Sequence, residues 1–469
     1  MPRPSSLTRR DFLQTSTAAT AAAAAWSLLP GCATPAATRR PRRIGPNEKL
    51  NHACIGVGGM GGNDLKNFLS HPRCQVVALC DVDRQRLQAA AAQVPGARLY
   101  TDWRELLAQE GDRIDSVNVS VPDHMHAAIA LPALRAAKHV YCQKPLCHDV
   151  AECRALTRAA QEAGVVSQLG TQHASGPGDR QAVQWLREGV IGKVTRVILC
   201  SNRPGAVERY RLVGPRPTEA APVPEGLAWD LWLGTAPVRP FAPKIYHPMI
   251  WRSWLDFGTG WSGDIGCHIF DAVWKGLGLT APLTVRAEVQ ESWRQSPARR
   301  ADTWPQMNHI TWVFPGNALT AGKELTVEWY DGDKYPPAEV QALARADGFK
   351  EYPGEAAMIL GTDGALLLPH TSGARLLPRE KFAARARTTF EPRNHYHHFV
   401  DGCLGGPRPE SHFGQSGPMA EAIILGTVAI RVPDTTLQWD PAGLRIPNSS
   451  EANRLLRRTY RAGWEVAGV

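Results

Sequence analysis

Residues 52–69, HACIGVGGMGGNDLKNFL, constrain this chain more than any other stretch. A short apolar run (Ala53, Cys54, Ile55) enters a loop made almost wholly of glycine, and a helical pattern (Leu65, Phe68, Leu69) leaves it. Gly56, Gly58 and Gly61 fit G-x-G-x-x-G. The first glycine permits a tight turn, the second lets a pyrophosphate approach the backbone, and the third lets helix pack on strand. Gly59 and Met60 complete the loop, where the helix presents its unpaired N–H groups and positive dipole end to the phosphates. A second apolar run, Val76 to Cys80, ends in Asp81, twenty positions past Gly61. A carboxylate there accepts hydrogen bonds from an adenosine ribose and repels a 2′-phosphate, which favours NAD over NADP.

At 469 residues the chain is too long for one comfortable core, so two domains are expected. Of the net charge of +9, residues 1–50 carry +6, which leaves only +3 on the remaining 419. A nucleic-acid footprint is a basic patch on the folded domain, and no such run occurs there, so no nucleic-acid partner is expected. The first 32 residues form an address: Thr8-Arg9-Arg10-Asp11-Phe12-Leu13 is a twin-arginine pattern, followed by an Ala/Thr-rich segment to Leu29. Leu29-Pro30-Gly31-Cys32 is similar to a lipoprotein cleavage box with an unusual proline, which leaves a periplasmic protein and one anchored through lipidated Cys32 both open. Residues 33–50, rich in Ala, Thr, Pro and Arg, suggest a flexible tether. No apolar stretch downstream is long enough to cross a bilayer. The cysteines fit buried thiols, since Cys142, Cys147 and Cys153 lack a zinc-type spacing.

Over residues 51–170 strands and helices alternate, as a parallel sheet requires. Strands are expected at 99–100, 116–121, 139–142 and 165–169, with helices at 84–93, 103–109, up to 137, and 156–163, the last capped by Gly164. Ligands in such sheets bind beyond the carboxyl ends of the strands. The loop Pro122-Asp123-His124-Met125-His126 should therefore face the cofactor, and so should Gln143-Lys144-Pro145. A lysine at a strand end before a stiffening proline is badly placed for a mere surface charge. Residues 171–469 show strands at 193–201, 283–291, 308–314 and 324–330 without regular helices between them. That pattern suggests a largely antiparallel sheet. If 260–277 is a helix, Asp264, His268 and Asp271 fall at i, i+4 and i+7 on one face. The triplet His395, His397, His398 suits a packed helix start better than a metal site. The stretch 419–431 has the pattern of a structural helix.

Three separate motifs make the chain resemble the glucose–fructose oxidoreductase/inositol dehydrogenase (Gfo/Idh/MocA) family: the glycine loop, a Pro-x-x-x-His segment matched by Pro122 and His126, and a Glu-Lys-Pro motif matched by Gln143-Lys144-Pro145. Gln143 replaces the family's Glu, which keeps the lysine and removes a charge. The resemblance implies an α/β fold with an N-terminal Rossmann domain and an α+β domain built on a large, mostly antiparallel sheet. It implies an NAD-dependent oxidoreductase of a sugar, cyclitol or glycoside, a homo-oligomer, and a catalytic set of Lys144, Asp264 and His268. In that set His268 is the natural base, Lys144 stabilises alkoxide charge, and Asp264 orients the hydroxyl or the imidazole. Pro122, His126, Gln143 and Lys144 join the cofactor contacts.

An indole stacks well on a sugar face and an arginine binds hydroxyls, so Trp251, Arg252, Trp254 and Arg203 are the candidate substrate contacts. An exported enzyme has no obvious cofactor pool to exchange with, which suits a tightly held NAD. Related NAD-dependent α-N-acetylgalactosaminidases oxidise transiently, eliminate and hydrate, so net oxidation and redox-neutral glycoside cleavage both remain open. A non-catalytic sugar-binding protein on this fold would be expected to lose Lys144 or His268, and both are present.

Overall fold

A computed structural model describes residues 40–202 and 215–469. The candidates Cys32 and Arg203 lie outside the described residues.

The first sheet has six parallel strands in the order β3-β2-β1-β4-β5-β6. They are β1 (Leu50–Ile55), β2 (Cys74–Cys80), β3 (Arg98–Tyr100), β4 (Ser116–Val119), β5 (His139–Cys142) and β6 (Ser167–Leu169). Strands β4, β5 and β6 are buried along their whole length, as a sheet covered on both faces requires. The chain reverses direction across the sheet between β1 and β4, and this is where ligands bind in such folds.

The second sheet has eight strands in the order β13-β12-β11-β7-β10-β9-β8-β14. These are β7 (Val194–Ser201), β8 (Thr284–Val289), β9 (Asn308–Pro315), β10 (Glu324–Asp331), β11 (Glu355–Gly361), β12 (Ala365–Pro369), β13 (Arg375–Leu377) and β14 (Leu437–Gln438). Only the β7–β10 pair is parallel, so the sheet is mixed but mostly antiparallel, as expected. Strand β9 alternates buried and half-buried residues along its length, the pattern of a sheet with one packed face. The helices Gly260–Leu277 and Phe413–Arg431 are almost wholly buried. Phe270, Trp312 and Ile423 join Val140 and Leu156 of the first sheet's layers in one continuous core.

Three expectations are corrected. The tether proposed for 33–50 is docked from Arg42 onward, because Arg42 pairs with the buried Asp115 at 2.7 Å and with Glu48 at 3.1 Å. Cys147 and Cys153, expected as free thiols, are bonded to each other. The helix expected from Leu156 begins at Val150. Its N-cap Asp149 accepts from the Glu152 N–H at 2.9 Å, and Glu152 accepts in return from the His148 N–H at 2.9 Å.

Candidate active site

Between β1 and the helix Met60–Leu69 the backbone packs too closely for side chains. A Cβ on Gly56, whose φ is +81°, would lie 2.3 Å from the Ser120 carbonyl oxygen. One on Gly61 would lie 2.0 Å from the Gly56 carbonyl oxygen. Gly61 therefore serves the helix–strand contact beneath the loop, whereas Gly56, Gly58, Gly59 and Met60 line a cavity of about 400 Å³. That cavity spans the sheet from Asp81, at the end of β2, to Gln143 and Lys144, at the end of β5. Asp81 accepts from the Val57 N–H and the Asp83 N–H, each at 2.9 Å. Burial pushes its carboxyl up and the two N–H groups pull it back. A glycine cradle with a carboxylate at the end of the second strand suits the pyrophosphate and adenosine ribose of NAD.

Lys144 and Arg252 line the opposite wall, and Asp264 and His268, on the helix Gly260–Leu277, are not among the lining residues. Lys144 Nζ donates to Asp264 Oδ1 at 2.8 Å and to the Asp264 carbonyl at 3.3 Å. The Arg252 guanidinium reaches Asp264 Oδ2 at 3.5 Å and stacks on Trp251, 4.2 Å from the ring centroid. Burial opposes ionisation of Asp264, yet Lys144 and Arg252 outweigh it and hold the carboxyl well below the usual range. His268 lies one helical turn further along Gly260–Leu277, edge-on to His370 with centroids 5.2 Å apart. Burial and then the Lys144 charge hold its imidazole well below the usual histidine range, so it is neutral. Its Nδ1 is buried and has no hydrogen-bond partner among the described residues.

Other candidates are placed differently. His126 is fully buried, and its two ring nitrogens lie 2.6 and 2.8 Å from the Pro145 and Val121 carbonyls. It is occupied by the backbone on either side of the site and does not line the cavity, whereas Pro122 does. Trp251 and Arg252 line the cavity, but Trp254 is buried in an aromatic cluster with Tyr246 and donates to the Ile245 carbonyl at 2.9 Å. Asp271 turns to Lys275, at 2.6 Å, and takes no part in the Lys144 wall. His395 starts the helix His395–Cys403 and packs beneath it, 2.9 Å from the Leu169 carbonyl.

The cavity lining also includes residues that the sequence motifs do not single out, Arg86 and Asp123 among them. Arg86 lies over Gly58 and pairs with Asp83 at 3.3 Å. Asp123 is 1% exposed, and its Oδ2 accepts from the Thr259 N–H at 3.2 Å and hydroxyl at 3.0 Å. Burial and then the Asp264 charge push its carboxyl up to about 7, against Arg252, Thr259 and Lys144. Its place in the loop after β4 was the available signal.

Residues 50–171 match the NAD-binding Rossmann-fold domain of the Gfo/Idh/MocA oxidoreductase family, and residues 180–313 match that family's C-terminal alpha/beta domain. Residues 6–26 match a twin-arginine translocation signal. Among the described residues, no helix is long and apolar enough to cross a membrane. D-apiose dehydrogenase from Paraburkholderia graminis is 30% identical over 145 residues, covering 31% of this chain and 38% of that protein. Inositol 2-dehydrogenase from Rubrobacter xylanophilus is 29% identical over 150 residues, covering 32% and 42%. The matches thus span about two fifths of these relatives. The fold is similar to the WlbA dehydrogenase of Bordetella pertussis, solved with NADH and UDP-GlcNAcA, at a TM-score of 0.57 and 16% identity, over 84% of this chain and 99% of that one. With both domain matches and the motifs in place, the chain belongs to the Gfo/Idh/MocA oxidoreductase family.

Proposed function

We propose that this protein is an exported NAD(H)-dependent oxidoreductase that acts on a secondary hydroxyl of a sugar, cyclitol or glycoside and keeps its cofactor between turnovers. One observation supports this above the others: Lys144, on the wall of the cavity into which the glycine loop opens, pairs at 2.8 Å with the ionised Asp264. Bound NAD supplies the hydride acceptor. Lys144 donates to the substrate oxygen and stabilises alkoxide charge. Asp264 fixes the lysine in place, accepting from its Nζ at 2.8 Å. The neutral His268 accepts the hydroxyl proton, and Trp251 offers an indole face to the sugar ring. The names of the dehydrogenases of D-apiose and inositol support the substrate class.

Retention of the cofactor follows from export, because the twin-arginine route carries folded proteins. Whether the exported chain is free in the periplasm or held by a lipid on Cys32, its nucleotide is loaded beforehand. One observation favours a redox-neutral variant, in which a glycoside is transiently oxidised, eliminated and hydrated. Asp123 lines the cavity with its carboxyl pushed up to about 7, whereas the Asp264 carboxyl beside it is held well below the usual range, which provides an acid for the leaving group beside a fixed charge. The test uses protein made in the cytoplasm without residues 1–32 and acid release of its nucleotide. Close to one NAD(H) per chain is expected. Empty protein that turns over only with millimolar added NAD would contradict retention. Many turnovers on the bound equivalent without an added acceptor select the redox-neutral variant, and arrest after one selects net oxidation.

A further inference from the structure

The Gln143 side chain has one allowed orientation. The Lys144 N–H donates to its Oε1 at 3.3 Å, so its Nε2 points the other way and donates to both oxygens of Asp64, at 2.9 and 3.0 Å. Two hydroxyls converge on the same carboxyl: Ser120 Oγ on Oδ2 and Tyr396 Oη on Oδ1, each at 2.6 Å. Amide donors already reach both hydroxyl oxygens. Asn118 Nδ2 donates to Ser120 Oγ at 2.8 Å, and Gln172 Nε2 and Asn63 Nδ2 donate to Tyr396 Oη, both at 3.3 Å. An amide NH₂ accepts nothing, so both hydroxyl protons are directed at Asp64. Every group around this side chain is a donor, and only an ionised carboxylate satisfies them all. Asp64 is 0% exposed. Burial pushes its carboxyl up, and Ser120, Tyr396 and Gln143 pull it back.

Asp64 stands on the helix behind the glycine loop, Ser120 follows β4, Gln143 precedes Lys144, and Tyr396 belongs to the helix His395–Cys403. We propose that Asp64 is a positioning residue that sets the Lys144 end of the site through Gln143, and that this pair holds one negative charge, on either member but not on both. A glutamate at 143 would keep the Lys144 N–H on one oxygen and turn the other onto the Asp64 carboxylate, where two like charges in contact do not both ionise. The departure from Glu-Lys-Pro is thus a relocation of the charge onto the cofactor helix. The importance of Lys144 rests on the proposed function. The coupling itself is measured through folding and NADH binding, without turnover, so failure of one is distinguishable from failure of the other.

The test compares the mature protein with Asp64→Asn, Gln143→Glu and the double variant, by NADH fluorescence titration and by urea unfolding at about pH 5 and about pH 8. Tyr396, Tyr141 and Cys54 face Asp64 and are all pushed upward by burial, so none of them changes charge in that window. Each single variant should weaken NADH binding by about fivefold or more, and the double variant should return to within about twofold of the parent. The Gln143→Glu loss in urea midpoint should be larger at the higher pH, because one of two facing acids takes up a proton at the lower one. A mere packing role predicts the same loss at both pH values. If a single variant does not fold, a folded, NADH-binding double variant is itself the rescue. A double variant that falls by the product of the singles, or that does not fold, overturns the proposal.

Discussion

Replacing Asp123 by asparagine should stabilise the protein in alkaline solution and do almost nothing in acid. In the folded state the Asp123 carboxyl titrates at about 7, against a usual value of 3.8, because burial and the Asp264 charge oppose its ionisation. A raised folded value means that the native state holds its proton more tightly than the unfolded chain. Its contribution to stability is therefore complete below about pH 4 and is lost as the pH rises toward 7. At 1.36 kcal/mol per pH unit, the rise from 3.8 to about 7 makes ionising Asp123 in place cost about 4 kcal/mol at pH 8. An asparagine keeps an oxygen for the Thr259 N–H and hydroxyl, which bind Oδ2 at 3.2 and 3.0 Å, and never ionises. Urea unfolding of both proteins across this range gives the measurement. The other raised acids, Asp64, Asp81, Asp149, Asp179, Asp271 and Asp331, are common to both proteins and cancel in the difference. Asp264 is depressed, so its own contribution disappears only below pH 4 and lies outside the window. A stabilisation equal at both ends of the range, or larger in acid, would refute the electrostatic account of this wall.

The cofactor preference follows from Asp81: calorimetry should show NAD(H) bound more tightly than NADP(H), and Asp81→Ala should erode the difference. Equal affinities in the parent protein would remove Asp81 from that role. Gly61→Ala places a methyl 2.0 Å from the Gly56 carbonyl; a loss of about 1–3 kcal/mol in stability is expected from such overpacking, together with weakened NAD binding, and an unperturbed variant would mean that the cradle is looser than described. His268→Ala should lower turnover roughly a hundredfold while NAD still binds. Near-native turnover would take the base role from His268. Alkylation of the unfolded, unreduced protein should spare Cys147 and Cys153, which are bonded, and label Cys54, Cys74, Cys80, Cys142, Cys200, Cys267 and Cys403.

Features carried by short-range pattern were legible in the sequence. The glycine spacing, the acid at the end of β2 and the helical spacing of Asp264 and His268 all depend on local geometry, and each appears in the structure at the expected element. The Asp149–Glu152 capping arrangement is equally local, and the D-x-x-E spacing marks the helix start at Val150. Pairings distant in sequence were not legible. Gln143 meets Asp64 across 79 positions and Tyr396 meets it across 332, so the replacement of Glu by Gln has its explanation only in three dimensions. The tryptophans divide for the same reason. Trp251 and Trp254 are three residues apart on a tight turn and both are buried in one aromatic core, but of the two it is Trp251 that also lines the cavity. His126 and Asp123 exchange their expected importance because the loop buries the imidazole between backbone carbonyls and leaves the carboxyl at the wall.

Reduction of NAD⁺ by substrate tests the central claim most directly. The protein, saturated with NAD⁺, is mixed with a panel of pentoses, hexoses, cyclitols and glycosides while the near-ultraviolet absorbance of reduced nicotinamide is followed. At least one of these should produce an immediate rise in the parent protein, transient if the reaction is redox-neutral. The rise should be slowed roughly a hundredfold or more in Lys144→Ala. A Lys144→Ala variant that reduces NAD⁺ as fast as the parent on the same alcohol would contradict the assignment of this cavity as the site of reaction.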